Sequence, residues 1–171
     1  VRNTLRYLKT RGFEITWLPV DRTGTIHAET VRQALDSYHG DDNRDHMVAP
    51  GMVYISQPTE LGTLYSLKEL TAIHEVCREY GIPLYVDGAR LAYALACGEN
   101  DVSLPDLARL CDVFYIGGTK VGALIGEALV FPRHNEPSHF MTRIKQHGAL
   151  LAKGRLTGIQ FDVLFTDGLD F

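Results

Sequence analysis

The sequence contains no long hydrophobic run and no strong excess of charge of either sign. A helix that spans a bilayer needs about 18 or more consecutive apolar residues, and every apolar stretch here is far shorter. The formal net charge is −4, and the basic residues are scattered along the chain. A clustered basic surface is the usual mark of a nucleic-acid-binding protein. We therefore expect neither a membrane nor a nucleic acid as a partner.

Cysteine is also scarce. The chain has three cysteines, Cys77, Cys97 and Cys111, an odd number without C-x-x-C spacing, and each lies among apolar residues. Disulfide frameworks and zinc sites usually use paired, closely spaced cysteines. The pattern favours buried, reduced thiols, which are typical of a cytoplasmic protein, and it predicts no metal site.

What is present fits one globular domain. The chain has 171 residues, 45% of them hydrophobic, which is enough for a substantial core. Short apolar runs alternate with segments that have helical spacing, an order typical of a mostly parallel sheet with helices on both faces. The last apolar run, residues 126–131, follows the previous one too closely for a crossover helix. We therefore predict a three-layer α/β fold with one antiparallel strand.

The individual elements follow from the periodicity of the apolar residues. Alternating or continuous apolar runs predict strands at residues 13–20, 52–56, 82–87, 111–116 and 126–131. Helical spacing predicts helices at residues 1–9, 31–40, 66–80, 91–97, 140–152 and 156–165, with another that opens at Ser103. Ser66 and Glu69 have the spacing of a capping box at a helix start.

Two of the buried strands end in polar residues. Asp87 and Arg90 follow the first of them, and Lys120 follows the second, with Gly118 close by. In an open α/β sheet, ligands bind at the carboxyl edge of the strands, and neighbouring strands lie about 4.8 Å apart. If these two strands are neighbours, a carboxylate and an amine converge on one small space. Taken singly, Asp87 could instead cap the following helix, and Lys120 could be an exposed hairpin lysine.

A lysine and a carboxylate in this arrangement suit pyridoxal phosphate. That cofactor forms a Schiff base with a lysine and needs a carboxylate at its pyridine nitrogen to act as an electron sink. The segment Gly117-Gly-Thr-Lys120 lacks the spacing of a phosphate-binding P-loop. The pair Asp87 and Lys120 therefore predicts a Schiff-base site.

Four segments carry a resemblance to a known family: Thr59-Glu-Leu-Gly-Thr63, the helix of residues 66–80, Val86-Asp-Gly-Ala-Arg90 and Gly117-Gly-Thr-Lys120. Together they resemble the large domain of fold-type I pyridoxal phosphate enzymes, closest to the low-specificity L-threonine aldolases. The resemblance implies that Lys120 binds the cofactor covalently and that Asp87 pairs with its ring nitrogen. It also implies that Arg90 contacts the phenolate edge or braces Asp87, and that Thr119 lies at the polar rim of the cofactor.

The resemblance further implies an activity and an assembly. The expected substrate is a small amino acid, L-threonine or L-allo-threonine, cleaved to glycine and acetaldehyde by a homodimer or homotetramer. Residues 1–171 correspond to the cofactor-binding large domain, and we expect N-terminal residues and a C-terminal small domain to be lacking. Two alternatives stay open: another lyase of this fold that catalyses β-elimination, and a catalytically incomplete fragment that acts only in subunit association.

Overall fold

A computed structural model describes residues 2–166, with side chains from residue 4 onward. Its centre is a four-stranded sheet in the order β1-β2-β3-β4, formed by β1 (Val53–Ser56), β2 (Leu84–Gly88), β3 (Val113–Gly117) and β4 (Glu127–Val130). The first three strands are parallel, and β4 pairs antiparallel with β3. The predicted α/β fold, a mostly parallel sheet with one antiparallel strand and helices around it, is confirmed.

Seven α-helices accompany the sheet in the described residues. They are α1 (Arg2–Thr10), α2 (Ala28–His39), α3 (Leu67–Glu79), α4 (Leu91–Ala96), α5 (Leu104–Leu110), α6 (Phe140–Gln146) and α7 (Arg155–Thr166). A capping box opens α3 at Ser66 and Glu69, as predicted, and a second one opens α5 at Ser103 and Asp106. Over residues 2–166, no helix has the length and apolar character needed to cross a membrane.

Two predicted elements were wrong in whole or in part. The segment 13–20 is irregular and forms no strand. Its alternating pattern finds no neighbouring strand to pair with, and Phe13 and Trp17 stay mostly exposed, although Leu18 packs on the core. The helix predicted for residues 140–152 ends at Gln146, because Gly148 takes a left-handed conformation with φ +68° that terminates it.

The two faces of the sheet differ in character. Side chains alternate between the faces with a period of two, and one face is buried in a core shared with α2, α3 and α5. That core face is built from Val53, Ile55, Leu84, Val86, Phe114 and Ile116. Fully burying such a side chain contributes about 1.5–3 kcal/mol. The core therefore holds β1, β2 and β3 in register beneath the candidate site.

The opposite face carries polar and aromatic side chains and is only half-buried. Tyr54, Tyr85, Asp87 and Tyr115 lie on it, since they occupy the alternate positions of their strands. The rings of Tyr54 and Tyr85 stack with centroids 5.3 Å apart and planes 8° from parallel. We call this the tyrosine face, and it contains the candidate site residue Asp87.

The three cysteines are free thiols. Cys77 and Cys111 are buried, and burial raises the pKa of each thiol to about 12. Both therefore stay protonated at neutral pH and behave as small apolar side chains. Cys97 differs from the prediction, because it is only partly buried and donates to Glu99 at 3.0 Å.

Two glycines lie where β2 and β3 end, and neither has room for a side chain. A Cβ atom on Gly88 would lie 2.1 Å from the carbonyl oxygen of Tyr115, and one on Gly117 would lie 2.3 Å from the carbonyl oxygen of Ala89. Both contacts are with backbone, which cannot rotate away as a side chain can. Glycine is therefore required at both positions for the strand ends to meet.

This packing predicts that Gly88→Ala destabilises the protein by about 3 kcal/mol or more, since overpacking against backbone forces the strands apart. Urea denaturation followed by circular dichroism measures the change. Gly98→Ala is the matched control, because a Cβ there meets no atom within 4 Å. Equal stability of the two variants would contradict the close approach.

Candidate active site

Asp87 lies in the penultimate position of β2, and each of its carboxylate oxygens accepts a hydrogen bond. The backbone N–H of Ala89 donates to Oδ1 at 3.0 Å, and the hydroxyl of Tyr54 donates to Oδ2. The N-cap of α4 is Arg90, which makes no side-chain capping bond, so Asp87 does not act as that helix's cap. The carboxylate is instead fixed on the tyrosine face.

Tyr54 is a site residue that the sequence analysis missed. It lies on β1, and its diagonal position relative to Asp87 follows from the β1–β2 register, in which Tyr54 pairs with Tyr85 and Ser56 with Asp87. Burial, followed by the hydrogen bond to Asp87, raises the pKa of the Tyr54 phenol well above its usual value. Tyr54 therefore stays a hydrogen-bond donor to the carboxylate at neutral pH. Only the strand register could have revealed it.

Lys120 lies in the connection between β3 and β4, three residues after Gly117, and it is exposed. Its backbone carbonyl accepts a hydrogen bond from the Tyr93 hydroxyl at 2.8 Å, which ties the connection to α4. Within the side chains that the structure describes, its ammonium group takes part in none of the ion pairs. The backbone that carries this amine is thus anchored to α4.

Glu127, the second residue that the sequence analysis missed, fixes the backbone just before Lys120. It lies opposite Gly117 in the antiparallel pair. One carboxylate oxygen accepts from the backbone N–H of Gly118, and the other accepts from the Thr119 hydroxyl at 3.2 Å. The Thr119 hydroxyl, predicted to face the cofactor, therefore already donates to a protein group.

Helix α7 supports the same connection from outside. The side-chain oxygen of Gln160 accepts from the backbone N–H of Leu124 at 2.8 Å, and its amide donates to the carbonyl of Ile125. A Cβ on Gly118 would lie 2.8 Å from the ring of Phe161, and one on Gly126 would lie 2.6 Å from Thr157. The glycines of this connection let α7 pack closely against it.

Arg90 lies at the start of α4, with its guanidinium 3.7 Å from the carboxylate of Glu60. Both side chains are substantially exposed, at 43% and 74%, so this ion pair is weak. The hydrogen bonds that hold Asp87 come from Tyr54 and Ala89 rather than from Arg90. The guanidinium therefore keeps most of its donors available.

The sheet brings the predicted residues to one edge. Strands β2 and β3 are parallel neighbours, with Asp87 opposite Tyr115, so Asp87, Arg90, Thr119 and Lys120 all lie at or beyond the carboxyl ends of adjacent strands. A carboxylate, an amine and a guanidinium at one edge match three groups of pyridoxal phosphate: its ring nitrogen, its aldehyde and its phenolate. In the described part of the chain, no three His, Cys, Asp or Glu side chains cluster as metal ligands would.

A mostly parallel sheet that presents a lysine and a carboxylate at its carboxyl edge defines the class of fold-type I pyridoxal phosphate enzymes. The chain belongs to the beta-eliminating lyase family, whose model matches residues 3–161. Members of this family are lyases that use pyridoxal phosphate. The resemblance predicted from the motifs is therefore confirmed.

Individual relatives point to threonine aldolases. The chain is 39% identical to a low-specificity L-threonine aldolase of a Pseudomonas species over 124 residues, which are 72% of this chain and 36% of that protein. It is 40% identical to the Pseudomonas aeruginosa aldolase over 111 residues, covering 64% of this chain and 32% of the relative. A Leishmania major threonine aldolase structure matches with a TM-score of 0.85 and 44% identity, covering 95% of this chain and 46% of that one. The chain thus spans from 32% to 46% of the length of these relatives.

The contacts of Glu127 predict a local effect on the backbone next to Lys120. Replacing Glu127 with alanine removes the acceptor of the Gly118 N–H, so this amide should exchange with solvent about tenfold faster. Hydrogen exchange followed by NMR measures the exchange rate of the Gly118 amide. Glu136→Ala is the control, because that exposed glutamate lies outside the connection. An unchanged rate at Gly118 would mean that Glu127 does not hold this backbone.

Proposed function

We propose that this chain forms the cofactor-binding part of a pyridoxal phosphate-dependent lyase that cleaves L-threonine or L-allo-threonine to glycine and acetaldehyde. The observation that carries the proposal is the placement of Asp87 on β2 and of Lys120 three residues after the end of β3, since these two strands are parallel neighbours. Support for the substrate comes from the threonine aldolases among the relatives. The small, β-hydroxylated amino acids are the substrate class that this chemistry requires.

Each predicted residue has a distinct role in the proposal. Lys120 would supply the amine that holds the cofactor covalently. Asp87 keeps a proton on the ring nitrogen, because a carboxylate beside that nitrogen favours its charged form. Arg90 donates to the phenolate edge. Thr119, bonded to Glu127, fixes the backbone on which Lys120 is carried.

The reaction is a retro-aldol cleavage. The β-hydroxyl of the substrate loses its proton to a base, the Cα–Cβ bond breaks, and the aldehyde leaves. Bound pyridoxal phosphate supplies the electron sink for the pair left on Cα. A proton then returns to Cα, which gives glycine. Asp87 contributes at the bond-breaking step, because the protonated ring accepts electrons better than a neutral one.

The organisation of the whole protein is part of the proposal. The chain covers 36% and 46% of the lengths of an aldolase relative and a solved aldolase. We infer that residues 1–171 act as the large, cofactor-binding domain of a longer cytoplasmic enzyme, which assembles as a homodimer or homotetramer. The groups that hold the cofactor phosphate and the substrate carboxylate then belong to other parts of the assembly.

The covalent step can be tested on the chain and on the longest polypeptide that its gene encodes. We expect pyridoxal phosphate to give a visible absorbance band, and borohydride to fix the cofactor onto Lys120, as seen by peptide mass spectrometry. Lys120→Ala should lose the adduct at this peptide, since it removes the amine that follows β3 at the sheet edge. Lys145→Ala, an exposed lysine on α6, is the control and should keep it. No fixed cofactor in the longest polypeptide would reject the proposal.

A second candidate is β-elimination, which is favoured by the description of the matching family as beta-eliminating lyases. The two activities release different products from different substrates. We expect glycine from L-threonine and L-allo-threonine, and no pyruvate from serine or cysteine. Chromatography of the derivatised products separates the two outcomes. Pyruvate without glycine would assign β-elimination instead.

A further inference from the structure

The carboxylate of Asp87 is oriented by two donors that differ in kind. One is the backbone N–H of Ala89, which any residue other than proline would provide at that position. The other is the hydroxyl of Tyr54 on the neighbouring strand, which depends on that one side chain. With one donor on each oxygen, the carboxylate keeps acceptor lone pairs for a further partner.

Tyr54 is itself held in place. Its ring stacks on Tyr85, directly opposite in the β1–β2 register, with the planes only 8° from parallel. Tyr54 is 38% exposed, and the stack on Tyr85 is the contact that holds its ring. A donor on a fixed ring restricts the rotation of the carboxylate that accepts from it.

We propose that Tyr54 is a positioning residue, which holds the Asp87 carboxylate in the orientation that receives the protonated ring nitrogen of pyridoxal phosphate. This inference rests on the proposed function, since it requires the cofactor to bind at Asp87. Tyr54 acts through Asp87 and does not touch the reacting atoms. A pre-oriented carboxylate binds the ring without first losing rotamer freedom, which favours cofactor affinity.

The alternative is a purely structural role, in which the tyrosine hydroxyl only stabilises the sheet face. The two roles differ in what Tyr54→Phe changes. This substitution keeps the stacked ring and removes one hydroxyl. A structural role predicts a change in unfolding by urea with cofactor affinity intact, whereas a positioning role predicts weaker cofactor binding and an altered pH profile of the bound cofactor.

The experiment titrates pyridoxal phosphate into four variants of the longest polypeptide that the gene encodes, with the bound fraction read from visible absorbance. We expect Tyr54→Phe to weaken binding about three- to tenfold, as for the loss of a hydrogen bond to a partly exposed charged group. Its absorbance–pH profile should shift in the same direction as that of Asp87→Ala. Added to Asp87→Ala, the Tyr54 substitution should change affinity less than twofold, because its target is gone.

Tyr115→Phe is the matched control. Tyr115 lies directly opposite Asp87 on β3 and is half-buried on the same face, but in the described residues its hydroxyl makes no hydrogen bond to the carboxylate. Loss of the Tyr115 hydroxyl should change the affinity for pyridoxal phosphate by less than twofold. If Tyr54→Phe bound pyridoxal phosphate with normal affinity and an unshifted absorbance–pH profile, the role of Tyr54 would be rejected and the proposed function would stand. If the longest polypeptide that the gene encodes bound no cofactor without any substitution, the proposed function and this inference would both be rejected.

Discussion

The close approach of β2 and β3 at their carboxyl ends is the constraint on which the site depends. Gly88 and Gly117 leave no room for a Cβ between the two backbones, with the nearest carbonyl oxygens 2.1 and 2.3 Å from the positions such atoms would take. The chain segments that continue from these glycines carry Arg90 on one side and Lys120 on the other. A wider separation at this point would move the amine away from Asp87. The glycines of the two motifs therefore determine geometry rather than flexibility.

The two faces of the sheet have different roles: one packs in the core, and the other carries the candidate site. The core face is apolar and packs on α2, α3 and α5, whereas the tyrosine face places a carboxylate in a half-buried setting. Burying a charge without partners is costly, and the hydrogen bonds from Tyr54 and Ala89 offset that cost. Because the core face packs the strands against the helices, the tyrosine face can carry polar groups.

The sequence predicts those parts of the site that depend on position along one strand. Asp87 and Lys120 follow buried apolar runs, so their place at the sheet edge could be predicted without knowing which strands pair. Tyr54 and Glu127 could not be identified in this way, because their contacts depend on the registers β1–β2 and β3–β4. The failed strand at residues 13–20 has a related cause: alternation shows that a segment can form a strand, but only a neighbouring strand allows it to do so. Patterns along one segment therefore predict most helices and strands. The contacts of Tyr54 and Glu127 depend on which strands pair and in which register.

Two carboxylates flank β3 on the same face, and they act on different parts of the site. Burial, together with the charges of Glu127 and Asp87, raises the pKa of Tyr115, which indicates that its ring lies near both acids. Glu127 directs its two oxygens to Gly118 and Thr119, and Asp87 directs its own to Tyr54 and Ala89.

Neither acid forms an ion pair with Lys120 in the described residues. An amine that paired with a carboxylate would be stabilised in its charged form and would be a poorer nucleophile. Among the described side chains the oxygens of both acids are thus directed to other protein donors, and the Lys120 amine is left outside these contacts.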